Sequence, residues 1–374
     1  MTLSVEPTRA ARSWYRLPRA AHPAAWWLWA LGMAVTASRT TNPVLLAMVL
    51  AVVAFVVVNR RGDAPWAFAF RLYVYLGAVV VVMRVLFRIL LGGPQGEHVL
   101  LVLPEIPLPE IAAGIQLLGP FTLEELLGGF YDGLRLATML ICVGAANALA
   151  NPKRMLKSLP SALYEVGAAV VVALSVAPQL AESVLRVKRA RRLRGGGQRG
   201  MRALHGIIIP VLSDAMDRSL ALAAAMDVRG YGRSGDAPAA LRRTTGTLVV
   251  VGLLGVCVGV YGLMDGTTRA FGVPLLLAGL VVAGAGFLLG GRNVTKSAYR
   301  PDRWRATDIA VAAYGIAAAA VLYLTSSVDA ANLYPSLSPL RWPQLALLPA
   351  VGVLIGLLPA WIAPPPPSTA EAPR

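Results

Sequence analysis

The sequence predicts an all-α, polytopic membrane helix bundle of about eight spans with two long helices on its basic side. Three observations lead there. Of the 374 residues, 56% are hydrophobic and 14% charged, against about a quarter charged in soluble domains, and the mean hydropathy is +0.62. The apolar residues fall into runs of spanning length divided by short polar stretches. The cations, 35 against 19 acids for a formal net charge of +16, gather between particular runs. On a soluble protein such an excess would suggest nucleic acid; placed this way it is a topology signal, and no nucleic-acid partner is expected.

Residues 1–23 carry Arg9, Arg12, Arg16 and Arg19 ahead of an apolar run at 24–37. That imitates a signal peptide, but a second run at 43–58 follows after a short polar turn, as in a helical hairpin. Asn59, Arg60 and Arg61 close the hairpin on a basic side. A third span is expected at 66–91, holding Arg71, Arg84 and Arg88, and a fourth at 128–150. The loop between them has Glu97, Glu105, Glu110, Glu124 and Glu125 and lacks Lys and Arg, so it should face outside. Arg84 and Arg88 near the outer end of their span are expected to snorkel or to pair with Asp132.

Lys153, Arg154 and Lys157 put the far end of the fourth span in the cytoplasm. The apolar stretch at 163–176 is short and ends at Pro178. Were it to cross, Arg186, Lys188, Arg189, Arg191, Arg192, Arg194, Arg199 and Arg202 would all be exported, so it is expected to stay on the cytoplasmic side. Four more runs, at 247–263, 273–289, 309–324 and 345–362, then put Arg292, Lys296, Arg300, Arg303 and Arg305 inside. The resulting plan is a cytoplasmic segment 1–23, spans over 24–150, a cytoplasmic helical region 151–243, spans over 244–363, and a proline-rich tail 364–374 that cannot continue a helix. Both termini lie inside in this plan.

Within 151–243, apolar and charged residues keep helical spacing. A first long helix is expected through Pro178, with Glu182 and Arg186 as an i,i+4 pair, ending at Arg194-Gly195. A second should begin near Ser213 as N-cap, with Asp214 and Asp217 in its first turn. Leu212, Met216, Ser219, Ala223, Met226 and Gly230 make one narrow seam of apolar and small residues along it. Both helices finish in apolar-Arg-Gly: Leu193-Arg194-Gly195 and Val228-Arg229-Gly230. One such ending is accounted for by dipole and glycine capping. Two suggest docking, since a guanidinium on a helix tip can bind a carboxylate bidentately in an acidic groove of a soluble partner.

These residues resemble a family. Ala190-Arg191-Arg192-Leu193-Arg194-Gly195 is similar to the Ala-Gln-x-x-Arg-Gly stretch of the T components of energy-coupling-factor (ECF) importers, the CbiQ and EcfT type. The run from Ala221 through Met226 to Arg229-Gly230-Tyr231 resembles their second signature, Met-x-x-Arg-Gly-Tyr. Asn151-Pro152 to Leu159-Pro160, and Ala177-Pro178, stand where that family has a short coupling helix and a proline-broken one; the resemblance covers about residues 24–263. It implies a non-catalytic transport subunit in the plasma membrane. Its coupling helices would dock two cassette ATPases through Arg194 and Arg229 and bear on a membrane-embedded, substrate-binding S component for vitamin or metal uptake. The resemblance assigns Leu193, Arg194, Gly195, Val228, Arg229 and Gly230 to the ATPase contact. Leu212, Met216, Ser219, Ala223 and Met226 it assigns to contact with the S component and between the coupling helices. Leu193 and Val228 depart from the small residues usual there, which leaves Arg191 able to share the first role.

Catalytic chemistry is not indicated. Gly195 to Gly200 have P-loop spacing, but Met201-Arg202 stand where Lys-Ser or Lys-Thr is needed. Gly195-Gly196-Gly197-Gln198 imitates an ATPase signature without a Walker motif and is expected to be a turn. His22, His98 and His205 are too scattered to hold a metal, and Cys142 and Cys257 sit in apolar runs, so no cofactor is expected. The rival readings are a membrane-embedded lipid or prenyl transferase, against which Asp214, Asp217 and Asp227 fail to cluster, and the permease subunit of another ABC transporter.

Overall fold

Proline opens the first two helices, where its missing N–H costs nothing. In the computed structural model α1 (Pro23–Ser38) is capped by the His22 side chain, which accepts from the Ala24 N–H, and α2 (Pro43–Arg60) by Asn42, which accepts from Val44. The structure describes residues 21–62, 69–91, 96–102, 104, 119–157, 164–194, 201–230, 239–264, 269–292 and 302–365. After α3 (Ala69–Leu91) come two short strands, β1 (Val99–Val102) and β2 (Pro120–Thr122), paired antiparallel. This ladder was not expected from the sequence.

Helix α4 (Leu123–Leu149) starts one turn earlier than expected, because Thr122 and Glu125 form a capping box. Glu124 and Glu125 are therefore buried in its first turn rather than in a loop. Then follow α5 (Pro152–Lys157), α6 (Tyr164–Leu193), α7 (Met201–Val228), α8 (Ala239–Met264), α9 (Arg269–Arg292), α10 (Ala306–Val328), α11 (Ala330–Leu333), α12 (Leu347–Ile355) and α13 (Pro359–Ile362). Helix α7 begins at Met201 and runs through Pro210. Ser213 is thus inside the helix and not its cap, and Asp214 and Asp217 are not in its first turn.

Among the described residues seven helices are long and apolar enough to cross a membrane: α2, α3, α4, α6, α8, α9 and α10. The first and last expected spans are shorter. Helix α1 has 16 residues, and the stretch 347–362 breaks into α12 and α13 at a turn before Pro359. Helix α6, which the charge argument keeps on the cytoplasmic side, qualifies by length and composition.

The chain divides into two compact units, residues 1–155 with 302–374, and residues 156–301. In the first, α1 packs on α10 and α4, α3 on α4, and α12 on α10 and α2. Without water to drive association, helices in lipid are held by close approach and by hydrogen bonds. Both occur here. A Cβ on Gly32 would fall on the Gly315 carbonyl, so α1 and α10 touch backbone to backbone. Trp29 Nε1 donates to the Gly356 carbonyl at 3.0 Å, Thr40 Oγ1 to Leu333 at 2.8 Å, and Asn42 Nδ2 to Asn332 and Gln344. At the other end of α1, Asp308 accepts from the His22 N–H at 2.8 Å, and Arg154 holds Asp302 through Nε and Nη2. Helices α10 to α13 are thus part of the bundle begun by α1 and α2. Arg84 and Asp132 approach to 3.6 Å, as expected. In the second unit α6 packs with α7, and α8 with α9.

Candidate functional site: an antiparallel helix pair with arginine tips

The two long helices of the second unit pair through one polar level. Ser183, 2% exposed, donates to Asp214 Oδ2 at 2.6 Å. Arg218, one turn beyond, reaches the same carboxylate at 3.0 Å, and Arg186 reaches it at 3.3 Å. Arg218 Nη1 also donates to Gln179 at 3.4 Å. The expected i,i+4 pairing of Arg186 with Glu182 is replaced by this cross-helix contact, since Asp214 offers a carboxylate already held by a hydroxyl. These bonds, first the Ser183 hydroxyl and then the Arg218 guanidinium, hold the Asp214 carboxyl below the ordinary carboxylate range.

Contacts on either side of that level run in opposite chain directions. Arg191 of α6 lies where a Cβ on Gly206 would be, and Val172 and Val176 share a groove with Met226 and Ala223. The helices are therefore antiparallel. Consequently the tip of α6 and the tip of α7 lie at opposite ends of the pair; α7 has 28 residues and a rise of about 42 Å.

Leu193 and Val228, just before the two arginines, are 90% and 89% exposed. Arg194 and Arg229 are exposed too, each in a turn after its helix. The Arg194 N–H bonds the carbonyls of Ala190 and Arg191, and Gly230 N–H that of Asp227. Gly230 has φ +75°, the left-handed conformation that glycine adopts without strain. Gly195 and the glycine-rich stretch after it lie outside the described residues. So does Tyr231 of the second signature.

The expected seam along α7 divides. Ser219, Ala223 and Met226 line a groove of about 380 Å³ against Val172, Ser175 and Leu180 of α6. Leu212 and Met216 do not line the groove and are 59% and 55% exposed. With Ile208 and Leu220, also exposed, they form a stripe at four-residue steps. Ser183, Gln179 and Arg218 were missed in the sequence; only the i,i+4 spacing of Asp214 and Arg218 could have signalled them. Among the described residues no group of three or more His, Cys, Asp and Glu could hold a metal.

A helical bundle with these spans defines a multi-pass membrane protein. More particularly, the chain belongs to the CbiQ family, described as cobalt transport protein, which matches residues 12–238. It is therefore a membrane component of a transport system. None of the curated proteins matches the chain. The family match takes in α1 to α7 and stops ahead of α8, short of the extent expected from the sequence.

Proposed function

We propose that this chain is the transmembrane T subunit of an ECF-type ABC importer, coupling ATP-driven movement of two cassette ATPases to a membrane-embedded S component that carries a vitamin or metal ion. The carrying observation is the antiparallel α6–α7 pair, whose two exposed arginine tips stand at opposite ends. One soluble partner at each end follows naturally from a separation of about 40 Å. Arg194 and Arg229 dock there, with Leu193 and Val228 beside them and Gly230 turning the chain away. The stripe of Leu212 and Met216 and the groove residues Ser219, Ala223 and Met226 bear on the S component.

A cytoplasmic seat for the pair is supported by more than the positive-inside pattern. By itself α6 passes for a span, but α7 runs beside it and carries Asp214, Asp217 and Arg218 at the middle of the pair. If the apolar half of α6 crossed the bilayer, these charges would be drawn toward it, at a cost of a few kcal/mol for each centrally placed charge. The test is copurification from the native membrane. Two cassette ATPases, or one as a homodimer, and a small hydrophobic protein should accompany the chain. Recovery with neither, from gentle detergent, would refute the reading.

A further inference from the structure

The face of α6 turned away from α7 is occupied by neither the clamp nor the tips. Leu174 and Arg192 each stand nine residues from Ser183, about two and a half turns, and so lie opposite the α7 contact. Around this line Val170, Val171, Leu174 and Leu185 are exposed, and so, one turn further on, are Lys188, Arg189 and Arg192. An apolar band thus runs straight into three cations on the same face. Among the described residues no carboxylate pairs with any of the three. Glu182 lies at the edge of the face, and Asp214 of α7 is engaged on the opposite side. Arg194 is two residues past Arg192, about 200° round the helix, so the tip and this face point in different directions.

We infer that the outer face of α6 is a seat for anionic phospholipid, with Lys188, Arg189 and Arg192 holding headgroup phosphates while Val170, Val171, Leu174 and Leu185 rest in the acyl boundary. Charge complementarity selects this occupant. Long basic side chains keep their heads at the phosphates and lay their stems along apolar surface. Basic side chains on an amphipathic helix are attracted to an anionic leaflet, and Lys188, Arg189 and Arg192 supply three on this one face. An acidic protein groove would account for the cations and leave the apolar band without a partner. The inference stands independently of whether the arginine tips dock on ATPases.

The experiment places a nitroxide at Ala181→Cys, an exposed position on this face, in the full chain carrying Cys257→Ser; Cys142 is buried. Nanodiscs of phosphatidylcholine are compared with discs containing phosphatidylglycerol. In the anionic discs the label should become several-fold less accessible to a water-soluble nickel complex and more accessible to oxygen. Salt at 1 M, where the Debye length is about 3 Å, should reverse this. Lys188→Glu with Arg189→Glu and Arg192→Glu should abolish the response, and Arg189→Lys with Arg192→Lys should retain it. A label at Val228→Cys on the other tip should not respond. Equal accessibility in the two lipids overturns the inference without any charge variant. So does a triple reversal that leaves the lipid response intact yet removes copurifying ATPase, which would assign the face to a protein.

Discussion

In the bundle of the first unit, three side chains of α1 and the turn after it tie to the backbone of α11 to α13 and the segments between them: Trp29 to Gly356, Thr40 to Leu333, Asn42 to Asn332 and Gln344. In the α6–α7 pair side chains are directed at one another, with Ser183, Arg186 and Arg218 converging on Asp214. Backbone acceptors spread along several helices tie the bundle at many heights. Among the described residues, the Asp214 carboxylate ties the pair near its middle, beside a groove lined by Val172, Val176, Leu222 and Met226. Few buried contacts and exposed ends are the physical marks of a region that moves at low cost. The contrast teaches that this chain holds a bundle tied at many heights and a helix pair tied near its middle with both ends exposed.

The sharpest way to break that contrast is to alter a tip and leave the bundle alone. Arg229→Glu should abolish ATPase association in a pull-down while membrane insertion and thermal stability stay unchanged, since loss of one member of an interfacial charge pair costs about 2 to 5 kcal/mol. Arg194→Glu should act in the same direction at the other end. Full binding by the double variant would end the docking assignment.

Attacking the bundle should give the reverse result. Gly32→Val places a side chain against the backbone of Gly315 and is expected to cost about 1 to 3 kcal/mol through overpacking. A lowered unfolding temperature in detergent, with ATPase capture retained by the folded fraction, is the outcome to look for.

Smaller effects are expected at the clamp. Asp214→Asn keeps an acceptor for Ser183 and loses both guanidinium partners, so hydrogen exchange should rise at 179–186 and 214–218 and nowhere in the bundle. The pH dependence has a definite sign. Because the folded Asp214 carboxyl is held below its ordinary value, its contribution is complete above the unfolded pKa of about 3.9. It is lost as pH falls through the lower folded value. Exchange at the clamp should therefore be flat from neutral to mildly acid pH and accelerate only below that point.

The smallest effect concerns the strand ladder. His98 Nδ1 lies 2.7 Å from Glu124 Oε1, and this bond raises the imidazole pKa above its ordinary value. The contribution is complete below about pH 6.5 and fades as pH rises through the folded value. Nuclear magnetic resonance of the His98 ring should show the raised titration, and Glu124→Gln should return it toward normal.

Much of the candidate site was legible in the chain. Arg229-Gly230 reads as a helix end because a glycine past a helical run signals a left-handed cap, and the structure has that cap at φ +75°. The start of α7 was not legible. Ser213-Asp214 look like an N-cap and first turn, but the partner that claims the Asp214 side chain lies about 30 residues away on α6. A local motif therefore pointed to a boundary where a tertiary contact was being made. The division of the α7 seam has the same origin: the spacing of Leu212 to Met226 marks one stripe, and only the position of α6 decides which members meet it.

What the sequence alone determined is one-dimensional: a helical membrane protein, where its apolar runs lie, which stretches are basic, and where two helices stop. Hydropathy, charge and capping act over a turn or a span and need no partner to be read. Which helices touch was decided by the tertiary structure, above all the joining of α10–α13 to α1 and α2. To a membrane helix, lipid is as apolar as a neighbouring helix, so an apolar run does not encode its companion. That choice rests on the fit of Gly32 to Gly315 and on a few bonds between residues some 300 positions apart.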